Sequence, residues 1–227
     1  MKRKILDIDK YVYFYNKIYD HNHNLKGVES VLREQNVNND WVLPANIDTL
    51  PFFILVDRIK KDFNDVAVDN FKVIIKLTLE QFLSRKFKQQ IAVITEQLCP
   101  FNLVVEISYN ELIKKKNVRR VIRRMNQVKQ YGVAFSINNL GADFSFAKKV
   151  HYLLPVIDIL KLDIKHFNQK EKWLDLTIKF WRNLAIKYQL ELIVSGIETK
   201  ADEQLLDLLS IDLRQGFLYG KPEKIIS

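Results

Sequence analysis

The feature that most constrains this chain is an alternation. Short apolar runs rich in β-branched residues are separated by stretches with helical periodicity. Val73–Leu77, Leu103–Ile107, Val133–Ile137, Val156–Leu162, Leu190–Val194 and Gln215–Leu218 read as strands. About Pro51–Phe63, Leu79–Thr95, Leu112–Tyr131, Phe144–Leu153, Glu171–Tyr188 and Lys200–Leu208 read as helices. Upstream, Tyr11–Tyr19 and Leu25–Leu32 flank Asp20-His21-Asn22-His23-Asn24, a turn between two antiparallel strands. Strand–helix alternation implies a parallel sheet with crossover helices, and eight strands in 227 residues predict an α/β barrel of the TIM type. A doubly wound open sheet is the alternative architecture. No Pro- or Gly-rich linker and no internal repeat divides the chain, so residues 1–227 read as one domain.

Composition narrows the partners. A hydrophobic fraction of 48% with only 6 Gly and 5 Pro supplies a core and excludes disordered and collagen-like chains. The single cysteine, Cys99, excludes an internal disulfide and a Cys-based zinc site, and predicts a reduced, intracellular setting with the thiol buried as a small hydrophobe. The basic start Met1-Lys2-Arg3-Lys4 resembles an export signal, but Asp7, Asp9 and Lys10 interrupt it. The longest apolar runs, such as Phe52–Val56, fall short of the roughly 20 residues that span a bilayer. A cytoplasmic protein without a membrane span is expected. The 36 Lys and Arg against 27 Asp and Glu leave a net charge of +9, an attraction for anions whose meaning depends on where it sits.

The apolar runs end alike. Lys76 closes Val73-Ile74-Ile75, Glu106 closes Leu103-Val104-Val105, and Asn138-Asn139 follow Phe135-Ser136-Ile137. Lys161 and Asp163 end the run Ile157–Leu160, Ser195 and Glu198 follow Ile193-Val194, and Glu29 interrupts the second strand. In a barrel these groups converge on the C-terminal rim, where barrel active sites lie. Glu, Asn, Lys and Asp in a ring suit metal–phosphate chemistry or plain phosphate binding.

These motifs resemble the EAL domain, the barrel phosphodiesterase family that hydrolyses cyclic di-GMP to the linear dinucleotide. Glu29-Ser30-Val31-Leu32-Arg33 is similar to Glu-Ala-Leu-Leu-Arg, and Val104–Ser108 to Leu-Glu-Leu-Thr-Glu. Asn138-Asn139-Leu140-Gly141 resembles Asp-Asp-Phe-Gly. Leu154–Asp163 followed by Phe167, Val194-Ser195-Gly196-Ile197-Glu198-Thr199, and Gln215–Tyr219 with Pro222 match the closing motifs in order, so the resemblance spans about residues 11–222. It implies a barrel with one antiparallel strand near the N-terminus. By the same resemblance Glu29 and Glu106 match metal-binding glutamates, Arg33 a phosphate contact and Lys161 the catalytic lysine, while Asp163, Glu198 and Gln215 match further site positions.

The departures from the family pattern fall at the chemistry. Active members hold two Mg²⁺ or Mn²⁺ ions that activate a water for in-line attack, and hard cations need converging anionic oxygens. Here the Asp-Asp pair is Asn138-Asn139, the ligand asparagine is Lys76, the first glutamate of Ala-Glu-Gly is Ser195, and the second of Leu-Glu-Leu-Thr-Glu is Tyr109. Each change at Lys76, Asn138, Asn139 and Ser195 moves the site towards positive charge. The resemblance therefore implies a degenerate member without a metal cofactor, with Mg²⁺ or Mn²⁺ required only if it is active. Two non-enzymatic roles follow: a metal-independent receptor for cyclic di-GMP or a related phosphate, with Arg33, Lys76, Asn138, Asn139, Asp163, Ser195, Glu198 and Gln215 as ligand contacts, or a module that binds a protein partner.

Other signals are weaker. Lys114, Lys115, Lys116, Arg119, Arg120, Arg123, Arg124 and Lys129 line a stretch without acidic residues, 112–131. Val118, Val121, Ile122, Met125 and Val128 fall at helical spacing, which turns the basic side chains outward as a solvated face. Without interleaved aromatics, nucleic acid is not the expected partner. His21 and His23 read as turn residues, since no third metal ligand accompanies them. Gly141 lies in the family's mobile loop, where Asp143 replaces a glycine; family members pair near this loop, so a homodimer is a further expectation.

Overall fold

The computed structural model describes residues 11–45, 59, 62–63, 70–114, 118–140, 151–166 and 173–224. Nine strands form one sheet: β1 (Tyr11–Tyr19), β2 (Leu25–Gln35), β3 (Trp41–Val42), β4 (Lys72–Leu77), β5 (Asn102–Ser108), β6 (Ala134–Asn138), β7 (Ile159–Asp163), β8 (Glu191–Ser195) and β9 (Leu213–Arg214). Their order is β1-β9-β8-β7-β6-β5-β4-β2-β3, and β1 also pairs with β2, which closes eight strands into a barrel and leaves β3 as an outer addition. Pairings from β2 through β4–β9 are parallel, while β1 is antiparallel to both its neighbours. The barrel with an antiparallel N-terminal strand is thus the expected architecture, and the open sheet is not observed.

Alternation along each strand divides the residues into two sets. Val73, Ile75 and Leu77, like Leu103, Val105 and Ile107, join the large outer core beneath the helices. Ile18, Ile74, Val104, Ile159, Ile193 and Leu213 instead meet inside the barrel, with Ala134 packed against them. This apolar plug fills the lower barrel, and the next inward positions carry the polar groups. β2 lies close against β4 at Gly27, where a Cβ would sit 2.5 Å from the carbonyl oxygen of Lys72.

Asp20 shapes the β1–β2 connection. Its Oδ1 accepts from the backbone N–H groups of Asn22 at 2.9 Å and Asn24 at 2.8 Å, and its Oδ2 from Asn24 Nδ2 at 3.0 Å. Its burial opposes ionisation, but the Asn24 bonds, Lys26 and the Asn22 N–H outweigh it and lower the carboxyl to about 2. The flanking histidines are turn residues: His21 Nδ1 lies 2.6 Å from Asp212 Oδ1, and His23 Nε2 lies 3.4 Å from Glu203 Oε1.

Several elements depart from the sequence expectation. The Leu79–Thr95 helix is two helices, α1 (Leu79–Leu83) and α2 (Arg85–Leu98), because extended Ser84 ends one and caps the other through Oγ to the Phe87 N–H. The 112–131 stretch is likewise two, α3 (Tyr109–Lys114) and α4 (Val118–Lys129). α5 (Leu174–Tyr188) and α6 (Lys200–Leu208) follow the expected ranges closely. The last strand is Leu213–Arg214 rather than Gln215–Leu218; backbone contacts with Ile197 turn the chain into a 3₁₀ turn, Phe217–Tyr219. β7 starts at Ile159, after a turn over 151–156. β3 had no sequence signal beyond a dipeptide. Cys99 is exposed, not buried, because it follows the last inward residue of α2, Leu98, at the helix end. The helices expected at 51–63 and 144–153, Lys115, Lys116, Phe167 and the Gly141–Asp143 loop fall largely or wholly outside the described residues. Among the described residues no helix is long and apolar enough to cross a membrane.

Two of the basic residues on α4 serve the fold instead of the surface. Val121, Met125 and Val128 are buried as their spacing requires. Half-buried Arg124 turns back onto the open carbonyl end of α1, donating from Nη1 to Ser84 O at 2.9 Å and Phe82 O at 3.3 Å, and from Nη2 to Leu83 O at 3.4 Å. Lys129 Nζ meets Asp158 Oδ1 at 2.7 Å. Arg119, Arg120 and Arg123 remain exposed. Replacing Arg124 with Ala should therefore cost about 1.5–3 kcal/mol in urea unfolding, the loss of hydrogen bonds from a charged donor. Arg119→Ala and Arg120→Ala should each stay within about 0.5 kcal/mol.

Candidate functional site

The barrel positions its polar groups by arithmetic. Two residues beyond each plug residue, on the same inward face, stand Lys76 after Ile74, Glu106 after Val104, Ser136 after Ala134, Lys161 after Ile159, Ser195 after Ile193 and Gln215 after Leu213. Glu29 follows Gly27 in β2, and Asn16 precedes Ile18 in the reversed β1. Each of the eight barrel strands thus turns one polar side chain inward above the plug, Gln215 doing so just past the end of β9. Sequence reasoning missed Asn16 and Ser136, although the period-2 register with Ile18 and Ala134 marks both as inward.

At the centre lies a buried charge cluster. Lys161 Nζ is 2.7 Å from Glu29 Oε2 and 3.6 Å from Glu106 Oε2. Glu106 is fully buried and also accepts from Asn138 Nδ2 at 2.5 Å and Ser136 Oγ at 3.4 Å, while Glu29 accepts from Asn16 Nδ2 at 3.3 Å. Asn138 Oδ1 is buried without a hydrogen-bond partner among the described residues. Asn139, in the left-handed region at φ 57°, turns its amide to Ser108 Oγ at 3.1 Å.

Electrostatics differ sharply between the two glutamates. Burial disfavours charge on Glu29, but the ammonium of Lys161, its hydrogen bond, Asn16 and the charge of Lys76 outweigh it and hold the carboxyl below its ordinary value. For Glu106 burial wins: together with the Glu29 charge it raises the carboxyl despite Lys161, Lys76 and Asn138. Burial works against the charge on Lys161, and Glu106 and Glu29 reverse that, so its ammonium is held above the usual lysine value. Lys76 is exposed at the rim and has no hydrogen-bond or ion-pair partner among the described residues.

Above the cluster opens a cavity of about 260 Å³, lined by Glu29, Lys76, Asn138, Asn139 and Lys161 together with Asp163, Lys165, Ser195, Gln215 and Phe217. Ser195 Oγ donates to Leu162 O at 3.4 Å, and Gln215 Nε2 to Asn16 O at 3.1 Å. Asp163 Oδ1 accepts the Lys165 N–H at 3.0 Å. Three expected site residues do not line this cavity. Glu106 lies beneath it, Arg33 stands further up β2, and Glu198 directs its carboxylate to Lys165. Tyr109, aligned with a family glutamate, is buried at the start of α3.

A closed barrel with a carboxylate–lysine centre at its C-terminal rim defines the class. Within it, residues 21–222 match the EAL domain family, and the chain belongs to that family. Among curated relatives, the bifunctional diguanylate cyclase/cyclic di-GMP phosphodiesterase MucR of Pseudomonas aeruginosa is 27% identical over 139 residues, which cover 58% of this chain and 19% of MucR. The probable cyclic di-GMP phosphodiesterase PdeG of Escherichia coli is 22% identical over 218 residues, 87% of this chain and 41% of PdeG. The chain thus spans well under half the length of either. Among solved structures, the FimX EAL domain from Pseudomonas aeruginosa, bound to c-di-GMP, superposes with a TM-score of 0.80 at 14% identity, covering 97% of this chain and 94% of that one.

The cluster makes a stability prediction with a sign. Lys161→Met leaves two buried carboxylates facing each other, and breaking a buried pair costs roughly 3–5 kcal/mol. Without the ammonium both folded-state pKa values rise above the unfolded one, so the penalty is present at high pH and disappears as pH falls and both groups protonate. Denaturant unfolding at pH 8 and pH 5 should show a large deficit at the first and a smaller one at the second. An equal deficit at both would mean that lost packing, not charge, is responsible.

Proposed function

We propose that this EAL domain acts in cyclic di-GMP signalling as a receptor that holds the dinucleotide's phosphodiester with lysines and amides instead of divalent cations, without turning it over. The observation that carries the reading is the pairing inside the cluster. Two carboxylates in place of Glu106 and Asn138 would repel unless a proton or a cation neutralised one of them; the neutral Asn138 amide donates to Glu106 directly. Lys161 neutralises Glu29, and Lys76 adds a second ammonium to the cavity wall.

The two-metal chemistry of active members sets a demand on the donor set. Paired hard cations want several anionic oxygens around each ion. Of the oxygens around the cavity, those of Glu29 are already paired with Lys161 and Asn138 Oδ1 is buried; Asp163 also lines it. Among the described residues no group of three or more His, Cys, Asp or Glu side chains could hold a metal ion. These residues fit a phosphate anion better than Mg²⁺ or Mn²⁺. Lys76 would meet the phosphodiester charge at the rim, and Asn139, Ser195 and Gln215 would supply polar contacts around it, while Lys161 stays committed to Glu29 and Glu106.

The retained Glu29, Glu106 and Lys161 keep active phosphodiesterase chemistry as the second reading. Calorimetric titration with cyclic di-GMP in EDTA should give heat that Lys76→Glu abolishes. Incubation with Mg²⁺ or Mn²⁺ should yield no linear dinucleotide. Steady product formation lost in Glu29→Ala would establish the second reading instead, and no heat in either condition would leave the protein-binding role.

A further inference from the structure

At the cavity mouth, Lys165 bridges three rim loops. It lies in the 3₁₀ turn Ile164–His166 that follows β7. Its stem passes Gly196 of the β8 loop so closely that a Cβ there would lie 2.9 Å from Lys165 Cγ and 2.4 Å from Asp163 Oδ1; Gly196 also has φ +86°. The Lys165 ammonium pairs with the Glu198 carboxylate and stands 4.3 Å from the centre of the Phe217 ring. Both side chains of the ion pair are about two-fifths exposed, at 41% and 42%. Lys165 and Phe217 line the cavity, whereas Glu198 does not.

From this arrangement we infer that Lys165 is a further anion-contacting residue of the rim, and that Glu198 is its internal competitor, displaced when a phosphodiester binds; the inference rests on the receptor reading above. An exposed ion pair is weak and exchanges partners readily. A charge-assisted hydrogen bond from the same ammonium to a phosphodiester oxygen in a partly desolvated cavity is stronger. Lys161 cannot make the same exchange freely, because leaving Glu29 and Glu106 would expose two buried charges to each other. Lys165 bears no such cost: released Glu198 remains solvated, and its backbone stays anchored by the N–H bond to Asp202 Oδ2 at 3.0 Å. Affinity for the ligand is therefore set partly by a carboxylate that never touches it.

The test is a double-mutant cycle read by calorimetry with cyclic di-GMP in EDTA, using the full chain. Lys165→Gln should weaken binding about 10-fold. Glu198→Gln should tighten it about 2–5-fold, the strength of an exposed ion pair. The double variant should bind no more tightly than Lys165→Gln alone. If Glu198→Gln tightens binding equally in both backgrounds, Glu198 acts by general repulsion of the anion and the competition is overturned. Unchanged affinity in Lys165→Gln, beside binding lost in Lys76→Glu, sinks this inference while the receptor reading stands. Failure of the unaltered chain to bind overturns both.

Discussion

The structure at the rim depends on one buried ammonium. Lys161 sits between Glu29 and Glu106, three charged groups drawn from strands β7, β2 and β5, and none of them could be buried alone. Glu29 has the shorter contact to Lys161, at 2.7 Å, and the aid of Asn16, whereas Glu106, deeper, adds the neutral donors Ser136 and Asn138 to its 3.6 Å contact with the same ammonium. Such a cluster fixes the register of the strands that bear it. A one-residue slip of β7 would turn Lys161 into the apolar outer core and leave both carboxylates without a cation.

This interdependence explains the value of the apolar plug. Ile18, Ile74, Val104, Ile159, Ile193 and Leu213 exclude water below the cluster, which strengthens the attraction of Lys161 for its partners and raises the cost of misplacing any of them. Towards the rim the same strands become wetter. Lys76, Asp163 and Lys165 face an open cavity, so their charges remain available to an anion in a way that those of Glu106 and Lys161 are not.

Much of this was legible in the residues. Strand period and the polar residue closing each run located Lys76, Glu106, Asn138, Lys161 and Ser195, because alternation in a barrel leaves no freedom over which face a given residue takes. Order along the chain could not say how far above the plug each side chain reaches, so Glu106 was read as a rim group although it is sealed beneath Lys161. Local helix signals failed at Ser84, where a capping residue inside a periodic stretch breaks one helix into two. They failed differently at Arg124, whose sequence neighbours mark it as surface charge while its partners lie about forty residues away on α1. Long-range pairings of that kind leave no periodic trace.

Charge placement then connects fold to function. The excess of positive charge that composition reports is not one surface: Arg124 and Lys129 are committed to the packing of α4, and Lys161 to the barrel centre. Lys76 and Lys165 are different, since one has no hydrogen-bond or ion-pair partner among the described residues and the other holds an exposed glutamate beside the Phe217 ring. An anion entering the cavity meets these two before it meets Lys161, and it can engage them without dismantling the core. The amides of Asn138 and Asn139 act in the same direction, since they are neutral and add no negative charge to the wall that an anion would approach. Under the receptor role proposed above, a barrel arranged in this way would hold a phosphodiester at its rim while its buried ion cluster stays intact.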